Sequence, residues 1–216
     1  MQELTNNDLK EIFKKREKDS HKGTYGYVGI MGGCTEYTGA IKLANMSSSA
    51  LRGGCGVVRL IIPKNIENIV APYLLEQTIF SIDIDEHNKM KFDKQNIDRS
   101  LEKLKALAIG MGWGRGRDNK KILEYILKNK DLPCLIDADG LNTLSEMNLD
   151  ILCNTKCKII LTPHLKEFER LSKIPIDEIK KDRLKISKEF AKKYGVILLL
   201  KGSTTIVTDG KDTYLI

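Results

Sequence analysis

The sequence predicts an α/β fold in which helices cover both faces of a mostly parallel sheet. Several apolar runs are continuous rather than alternating, which is typical of strands buried on both faces: YGYVGIM, GVVRLIIP, ALAIGMG and VILLLKG. Helix-forming segments separate these runs, and an alternation of strand and helix favours parallel pairing. The last segment, TTIVTDGKDTYLI, predicts a hairpin with Asp209 and Gly210 at its turn.

The predicted elements follow one another without a repeat or a low-complexity linker, so we expect a single domain over residues 1–216. A charged helix is predicted over Asn7–Lys18, and a second helix begins near Thr38, with Thr38 as its N-cap. The polar segment 83–94 is predicted to be a loop. Further helices are predicted over residues 96–105, 119–130, a short stretch near 141, 164–172 and 175–195.

The composition indicates a globular protein, and its positive net charge is compatible with an anionic small ligand. Its 216 residues are 41% hydrophobic, yet no apolar run approaches the ~20 residues that span a bilayer. The polar N-terminus is not a secretory signal, so we expect a cytoplasmic protein without a membrane partner. The net charge of +7 is spread among acidic residues and is not interleaved with aromatic ones, so we expect no nucleic-acid partner.

The cysteines and histidines do not show the spacing of a metal centre. The five cysteines lack CxxC spacing and are expected to be reduced and structural, and only three histidines are present. We therefore predict no metal centre held by Cys or His, and we assign no residue of this chain as a metal ligand.

Polar motifs follow the predicted strands at the ends where parallel sheets bind their ligands. These motifs are Gly32–Gly33, Gly110–Asp118, Asp137–Asn142, Thr162–Glu167 and Lys201–Thr205. Of the glycines at 110, 112, 114 and 116, three leave the backbone open to a flat or phosphorylated ligand, and the alternative is a flexible turn before the helix at 119. The repetition of polar motifs at strand ends predicts that ligands bind along one edge of the sheet.

Charged side chains at three of these ends suggest specific chemistry. Asp137 and Asp139 could bind Mg²⁺, position a hydroxyl or cap the next helix. His164 follows a Thr-Pro pair and is either structural or functional. Lys201 ends an apolar strand, where its burial is costly unless its charge meets an anion. The hydroxyls at 203–205 suit a phosphate or a ribose.

Taken in order, these motifs resemble those of the ADP-dependent (S)-NAD(P)H-hydrate dehydratases, the C-terminal-type domain of bifunctional nicotinamide nucleotide repair enzymes. The motifs are HKGTYGYVGIMGG, YTGA, AIGMGWGRG, PCLIDADGLN, ILTPHLKEFERL and LLLKGSTT, and the resemblance runs from His21 almost to the end. It implies a ribokinase-like three-layer sandwich and a lyase of metabolite repair. It also implies ADP (ATP in some relatives) and Mg²⁺, NADHX or NADPHX as substrate, and a homotetramer.

The resemblance also implies roles for individual residues. Contact with the hydrated cofactor is implied for Ala40, Gly112 and His164, together with Tyr37, Gly39, Asp137 and Asn142. Contact with the adenine nucleotide is implied for Lys201, Gly202, Ser203, Thr204 and Thr205. Small residues at 39 and 40 would let the dihydronicotinamide ring lie against the helix start.

The chain also departs from the family pattern. Met111 stands where relatives usually have Pro, and Leu165–Lys166 replaces a usual Pro-Gly. Relatives continue into a GxGD segment whose Asp is the expected catalytic base, and we expect this chain to be truncated before that segment. Two alternatives remain open: a ribokinase-superfamily kinase of small alcohols, and a non-catalytic nucleotide-binding fragment.

Overall fold

The computed structural model describes residues 17–46 and 54–216. These residues form two compact units, one ending at Asp118 and one running from Asn119 to Ile216. The predicted helix Asn7–Lys18 lies almost entirely outside the described residues, and the single domain stays a prediction.

Four parallel strands form the sheet of the first unit, in the order β3-β2-β1-β4. They are β1 (Tyr27–Met31), β2 (Val57–Pro63), β3 (Thr78–Ile82) and β4 (Leu104–Ile109). Ile30 of β1 lies opposite Leu60 of β2 and Ala108 of β4. This pairing confirms the parallel arrangement predicted from the continuous apolar runs.

The helices of the first unit follow its strands. They are α1 (Thr38–Met46), directly after a 3₁₀ turn (Thr35–Tyr37); α2 (Glu67–Val70), between the 3₁₀ turns Lys64–Ile66 and Ala71–Tyr73; and α3 (Lys94–Ser100). Thr38 has helical φ and ψ angles of −62° and −26°, so its prediction as an N-cap is wrong: the 3₁₀ turn runs on into the helix. The prediction that α3 reaches residue 105 is also wrong, because β4 already begins at Leu104.

An apolar core joins α1 and α2 to the sheet of this unit. Ile41 of α1 and Val70 of α2 pack with Ile30, Leu60 and Ile62 of the strands, and all five are buried. Burying apolar surface contributes roughly 25 cal/mol per Å², so this packing fixes the position of the start of α1 against the end of β1.

The second unit contains five strands in the order β5-β6-β7-β8-β9. They are β5 (Cys134–Ile136), β6 (Ile159–Leu161), β7 (Ile197–Leu200), β8 (Ile206–Thr208) and β9 (Thr213–Leu215). The first three pair in parallel and the last two add antiparallel. Gly210 has φ +90° in the turn between β8 and β9, which confirms the predicted hairpin.

Helices of the second unit alternate with its parallel strands. They are α4 (Asn119–Asn129), α5 (Asp139–Ser145), α6 (Asp150–Cys153), α7 (Leu165–Ser172), α8 (Ile176–Lys181) and α9 (Arg183–Tyr194). The helix predicted over 175–195 is broken at Asp182, whose φ and ψ are −149° and 69°. The Asp182 side chain accepts a hydrogen bond from the Lys185 amide at 3.0 Å and so caps α9.

All five cysteines are free, and three of them, Cys34, Cys134 and Cys157, are buried. A hydrogen bond between the thiols of Cys134 and Cys157 lowers the pKa of Cys157 to about 6 and raises that of Cys134. Within residues 17–46 and 54–216, no helix is both long and apolar enough to cross a membrane.

Candidate functional site

In the first unit, the glycine loop after β4 lies against the start of α1. Gly112 is buried and has φ +61°, a conformation that favours glycine. A Cβ at Gly112 would lie 2.7 Å from the carbonyl oxygen of Tyr37 and 2.8 Å from Cβ of Ala40. The structure therefore brings together three of the residues predicted to contact the hydrated cofactor.

Gly39 differs from Gly112 in its surroundings. A Cβ at Gly39 would meet no atom within 4 Å, and the residue is exposed. The neighbouring Tyr37 is also exposed, so this part of the α1 start is open surface that a planar ring could cover.

The 3₁₀ turn before α1 is held by the loop after β3. Lys89 Nζ donates to both carboxylate oxygens of Glu36 at 2.6 Å. Asn65 Nδ2 donates to Thr35 Oγ1 at 3.1 Å and to the Asn88 carbonyl at 3.3 Å. The hydrogen bond from Lys89 lowers the pKa of Glu36 to about 2. Sequence reasoning missed these residues, because nothing local in a polar loop indicates a partner so distant along the chain.

In the second unit, the ends of β5, β6 and β7 converge. Lys201 Nζ, after β7, lies 2.9 Å from Oδ1 of Asp137, after β5. The Lys201 amide donates to the carbonyl of Pro163, after β6, at 2.8 Å. The anion expected for Lys201 is thus supplied in this structure by Asp137, while the Lys201 side chain stays 41% exposed.

The residues that follow β5 make a strained turn into α5. Ala138 has φ +49° and ψ −120°, which is unfavourable for a residue with a Cβ and costs on the order of 1–3 kcal/mol. The Gly140 amide donates to the Asp137 carbonyl at 2.9 Å, and Asp139 Oδ1 accepts from Asn142 Nδ2 at 3.3 Å. Asp137 pairs with Lys201, and Asp139 bonds within its own helix.

Metal binding gains no support from these carboxylates. In the described part of the chain, no group of three or more His, Cys, Asp or Glu side chains could hold a metal ion.

Asn142 links two helices of the second unit. Its Oδ1 accepts a hydrogen bond from Arg170 Nη1 at 2.7 Å, which connects α5 to α7.

His164 is the N-cap of α7 and forms a capping box with Glu167. Its Nδ1 accepts from the amides of Lys166 at 3.1 Å and Glu167 at 3.3 Å, and the His164 amide donates to Glu167 Oε2 at 2.9 Å. Because Nδ1 accepts, the neutral ring carries its proton on Nε2. Nε2 lies 3.5 Å from Glu167 Oε1, and the His164 side chain is 51% exposed, so this N–H borders both the Glu167 carboxylate and solvent.

The loop from Lys201 to Thr205 offers a set of exposed donors. Gly202, Ser203 and Thr204 are exposed, and the two hydroxyls make no hydrogen bond to a described residue. Sequence reasoning missed Arg183, which donates to the Thr204 carbonyl at 3.0 Å. Its Lys-rich surroundings predicted a solvated helix face, and no local signal marked Arg183 as different.

Residues 28–216 match the family of NAD(P)H-hydrate dehydratases. The chain belongs to this family. This dehydratase-family chain is 33% identical to the ADP-dependent (S)-NAD(P)H-hydrate dehydratase of Streptococcus thermophilus, over 94% of its own length and 69% of that enzyme.

Longer relatives carry the matched region as one part of their length. The bifunctional NAD(P)H-hydrate repair enzyme Nnr of Moorella thermoacetica is 33% identical over 196 residues, which are 89% of this chain. The chain spans 36% of that relative's length.

Solved structures confirm the predicted fold class. A ribokinase-like superfamily protein from Enterococcus faecalis aligns with a TM-score of 0.79 over 98% of this chain and 70% of that one, at 22% identity, which shows the fold. The ADP/ATP-dependent NAD(P)H-hydrate dehydratase of Bacillus subtilis, co-crystallised with ATP and Mg²⁺, aligns with a TM-score of 0.76 at 26% identity, with the same coverage of 98% and 70%. The dehydratase-family chain therefore has an α/β, ribokinase-like fold with mostly parallel strands.

Proposed function

We propose that the protein restores NADH or NADPH from the S epimer of its hydrate, with ADP as the phosphate donor. The observation that carries this proposal is the family match over residues 28–216. The motif order read from the sequence supports it, and so does the contact of Gly112 with Tyr37 and Ala40.

The chemistry follows from leaving-group ability. Hydroxide is a poor leaving group, so the ring hydroxyl of the hydrate is first phosphorylated by ADP, which becomes AMP. The lone pair of the ring nitrogen then expels phosphate, and loss of a proton from the ring restores the reduced nicotinamide. The protein's task is to bind and orient both ligands and to stabilise the charge that develops on the transferred phosphoryl group.

We propose residues that contact the hydrated cofactor for each unit by itself. In the first unit these are Tyr37, Gly39, Ala40 and Gly112, where open surface beside Gly39 leaves room for the ring. In the second unit these are His164, Asp137 and Asn142. The Nδ1 of His164 is occupied by the helix cap, and its Nε2–H, 3.5 Å from Glu167 Oε1, is the ring donor that we propose for an oxygen of the ligand.

We assign the adenine nucleotide to the loop Lys201–Thr205. Its ammonium group, its glycine and its exposed hydroxyls suit phosphate and ribose oxygens. Mg²⁺ accompanies ATP in the Bacillus subtilis relative. The described residues contain no carboxylate cluster for such an ion, and Asp137 is paired with Lys201.

We further propose that the protein is a cytoplasmic homotetramer. Large apolar side chains on the first unit support self-association, since Leu43 is 67% exposed and Leu75 is 96% exposed. Light scattering coupled to size-exclusion chromatography measures the assembly directly.

The test of the catalytic proposal is recovery of reduced-nicotinamide absorbance from purified S-NADHX in the presence of ADP and Mg²⁺. The protein is expressed through to the stop codon of its gene, and a sample without ADP is the control. We expect ADP-dependent recovery with release of AMP and phosphate. A stable phosphorylated product would instead indicate an alcohol kinase, and ADP binding without any product would indicate a binding role.

A further inference from the structure

The guanidinium of Arg183 packs directly on Gly202. A Cβ at Gly202 would lie 2.5 Å from Nη2, 3.0 Å from Cζ and 3.0 Å from Nη1 of Arg183. A Cβ at this position would displace the guanidinium from its present place. Glycine at 202 is therefore explained by a side chain of this chain, quite apart from any ligand.

Arg183 also fixes the backbone on both sides of Gly202. Its Nη2 donates to the Thr204 carbonyl at 3.0 Å and reaches the Leu200 carbonyl at 3.5 Å. One planar group thus spans the end of β7 and the far side of the loop. Hydrogen bonds from a charged donor are stronger than neutral ones, so this contact restricts the loop effectively.

The position of Arg183 is set by the helix break at Asp182. Arg183 is the first residue of α9, and the Asp182 cap on the Lys185 amide holds that first turn in place. The Arg183 side chain is half-buried, and its Nε is buried without a hydrogen-bond partner among the described residues.

The charge of Arg183 is not neutralised by a described carboxylate. Arg183 takes part in no ion pair within the part of the chain that the structure describes. By contrast, the neighbouring Lys201 is paired with Asp137. Half-burying an unpaired cation is costly, so its place beneath a loop of exposed donors calls for a functional reason.

We propose that Arg183 is a positioning residue for the nucleotide, holding the backbone of residues 201–205 in the shape that an adenine nucleotide binds. This inference rests on the proposed function, because the loop's assignment to the nucleotide is part of it. Arg183 acts through the loop: its own contacts are with Gly202 and with the two carbonyls.

The test compares ADP binding and steady-state kinetics for the wild type, Arg183→Met, Arg183→Lys and the control Lys185→Met, all expressed through to the stop codon. Lys185 lies in the same first helical turn, is exposed, and contacts the Asp182 side chain only through its amide. We expect Arg183→Met to weaken ADP binding about tenfold while the KM for the hydrate stays within about twofold, since charged hydrogen bonds to the loop are lost. Arg183→Lys should fall between, and Lys185→Met should match the wild type.

A second variant separates positioning from general stability. Gly202→Ala places a methyl group against the guanidinium, which is the movable end of a flexible side chain, so the fold should tolerate it. We expect it to weaken ADP binding in the wild-type background and to add nothing when Arg183 is already Met. Additive effects of the two substitutions would overturn the inference, because they would place the effect of Gly202→Ala outside the Arg183 contact.

Three further outcomes distinguish failure of the role of Arg183 from failure of the proposed function. Arg183→Met that lowers the Tm but leaves the Kd of the folded protein for ADP unchanged would make Arg183 purely structural. A wild type that turns over the hydrate while Arg183→Met binds ADP equally well would overturn this inference and leave the proposed function intact. A wild type that binds no ADP would overturn both.

Discussion

Lys201 and Asp137, which stand 64 positions apart in the chain, form an ion pair of 2.9 Å between the ends of β7 and β5. The Lys201 side chain is nevertheless 41% exposed, so its ammonium stays accessible to the nucleotide phosphate that we propose it binds. The pair holds the ammonium at the start of the loop before a ligand arrives.

Removing the charge of Asp137 and removing that of Lys201 should therefore change ADP affinity by different amounts. Asp137→Asn leaves the cation in place, and because a partly exposed pair contributes only about 0.2–1 kcal/mol, we expect a small loss of stability and a change in ADP affinity below about threefold. Lys201→Met removes the charge and should weaken ADP binding about tenfold or more. Calorimetric titration with ADP measures both, and equal losses for the two variants would contradict a phosphate-binding Lys201.

Gly112 and Gly39 form a matched pair for testing the proposed cofactor surface. Gly112→Ala requires a Cβ at φ +61° beside Tyr37 and Ala40, so we expect about 1–3 kcal/mol of destabilisation. Gly39→Ala meets open space within α1 and should leave the Tm unchanged or raise it slightly, because alanine favours a helix more than glycine does. If the nicotinamide lies against the helix start, Gly39→Ala should still raise the KM for the hydrate. An unchanged KM would remove Gly39 from the site.

Much of the fold could be predicted from the sequence because its signals are local. Continuous apolar runs identified the parallel strands, and the Asp209–Gly210 pair identified the hairpin, since each depends on neighbouring residues alone. The same reasoning located the polar motifs at strand ends. Convergence of Asp137 and Lys201 follows from parallel topology, although their pairing required the structure.

The errors arose where tertiary context overrides local signals. Thr38 has the chemistry of an N-cap, yet the preceding 3₁₀ turn continues into α1 and makes it a helical residue. The break at Asp182 lies inside a stretch with continuous helical propensity. Glu36 with Lys89, and Arg183 with Gly202, are contacts across folded loops, and no pattern of spacing encodes them.

The ion pair of Glu36 and Lys89 predicts a specific dependence of stability on pH. The pKa of Glu36 falls from its ordinary value of 4.5 to about 2 in the folded protein, chiefly through the hydrogen bond from Lys89. A depressed carboxylate pKa stabilises the folded state above the unfolded pKa, and this contribution is lost as the pH falls through the folded one. The pair should therefore support the 3₁₀ turn fully above pH 4.5 and not at all below about pH 2.

Urea unfolding of the wild type and Glu36→Gln across this pH range measures the contribution. We expect the difference between their midpoints to shrink as the pH falls from 4.5 towards 2. Glu102→Gln is the control, because the exposed Glu102 side chain makes no hydrogen bond or ion pair with a described residue. A difference between wild type and Glu36→Gln that stays constant with pH would contradict the depressed pKa.

His164 has a structural role that the structure shows and a ligand role that we propose, and two substitutions separate them. His164→Ala loses the cap of α7 and should cost about 1 kcal/mol. His164→Asn keeps an N-cap of good chemistry but loses the Nε2–H, so its Tm should stay near that of the wild type. If the imidazole contacts the hydrated cofactor, both variants should raise the KM for the hydrate.

Asp93→Ala controls for the loss of a cap as such, because Asp93 caps α3 by accepting from the Asn96 amide at 2.8 Å. It should lower stability as much as His164→Ala and leave the KM for the hydrate unchanged. A His164→Asn enzyme with the wild-type KM would reduce His164 to a helix cap. In that case the accessible Nε2–H would be a consequence of capping geometry alone, and the proposed cofactor contacts of the second unit would rest on Asp137 and Asn142.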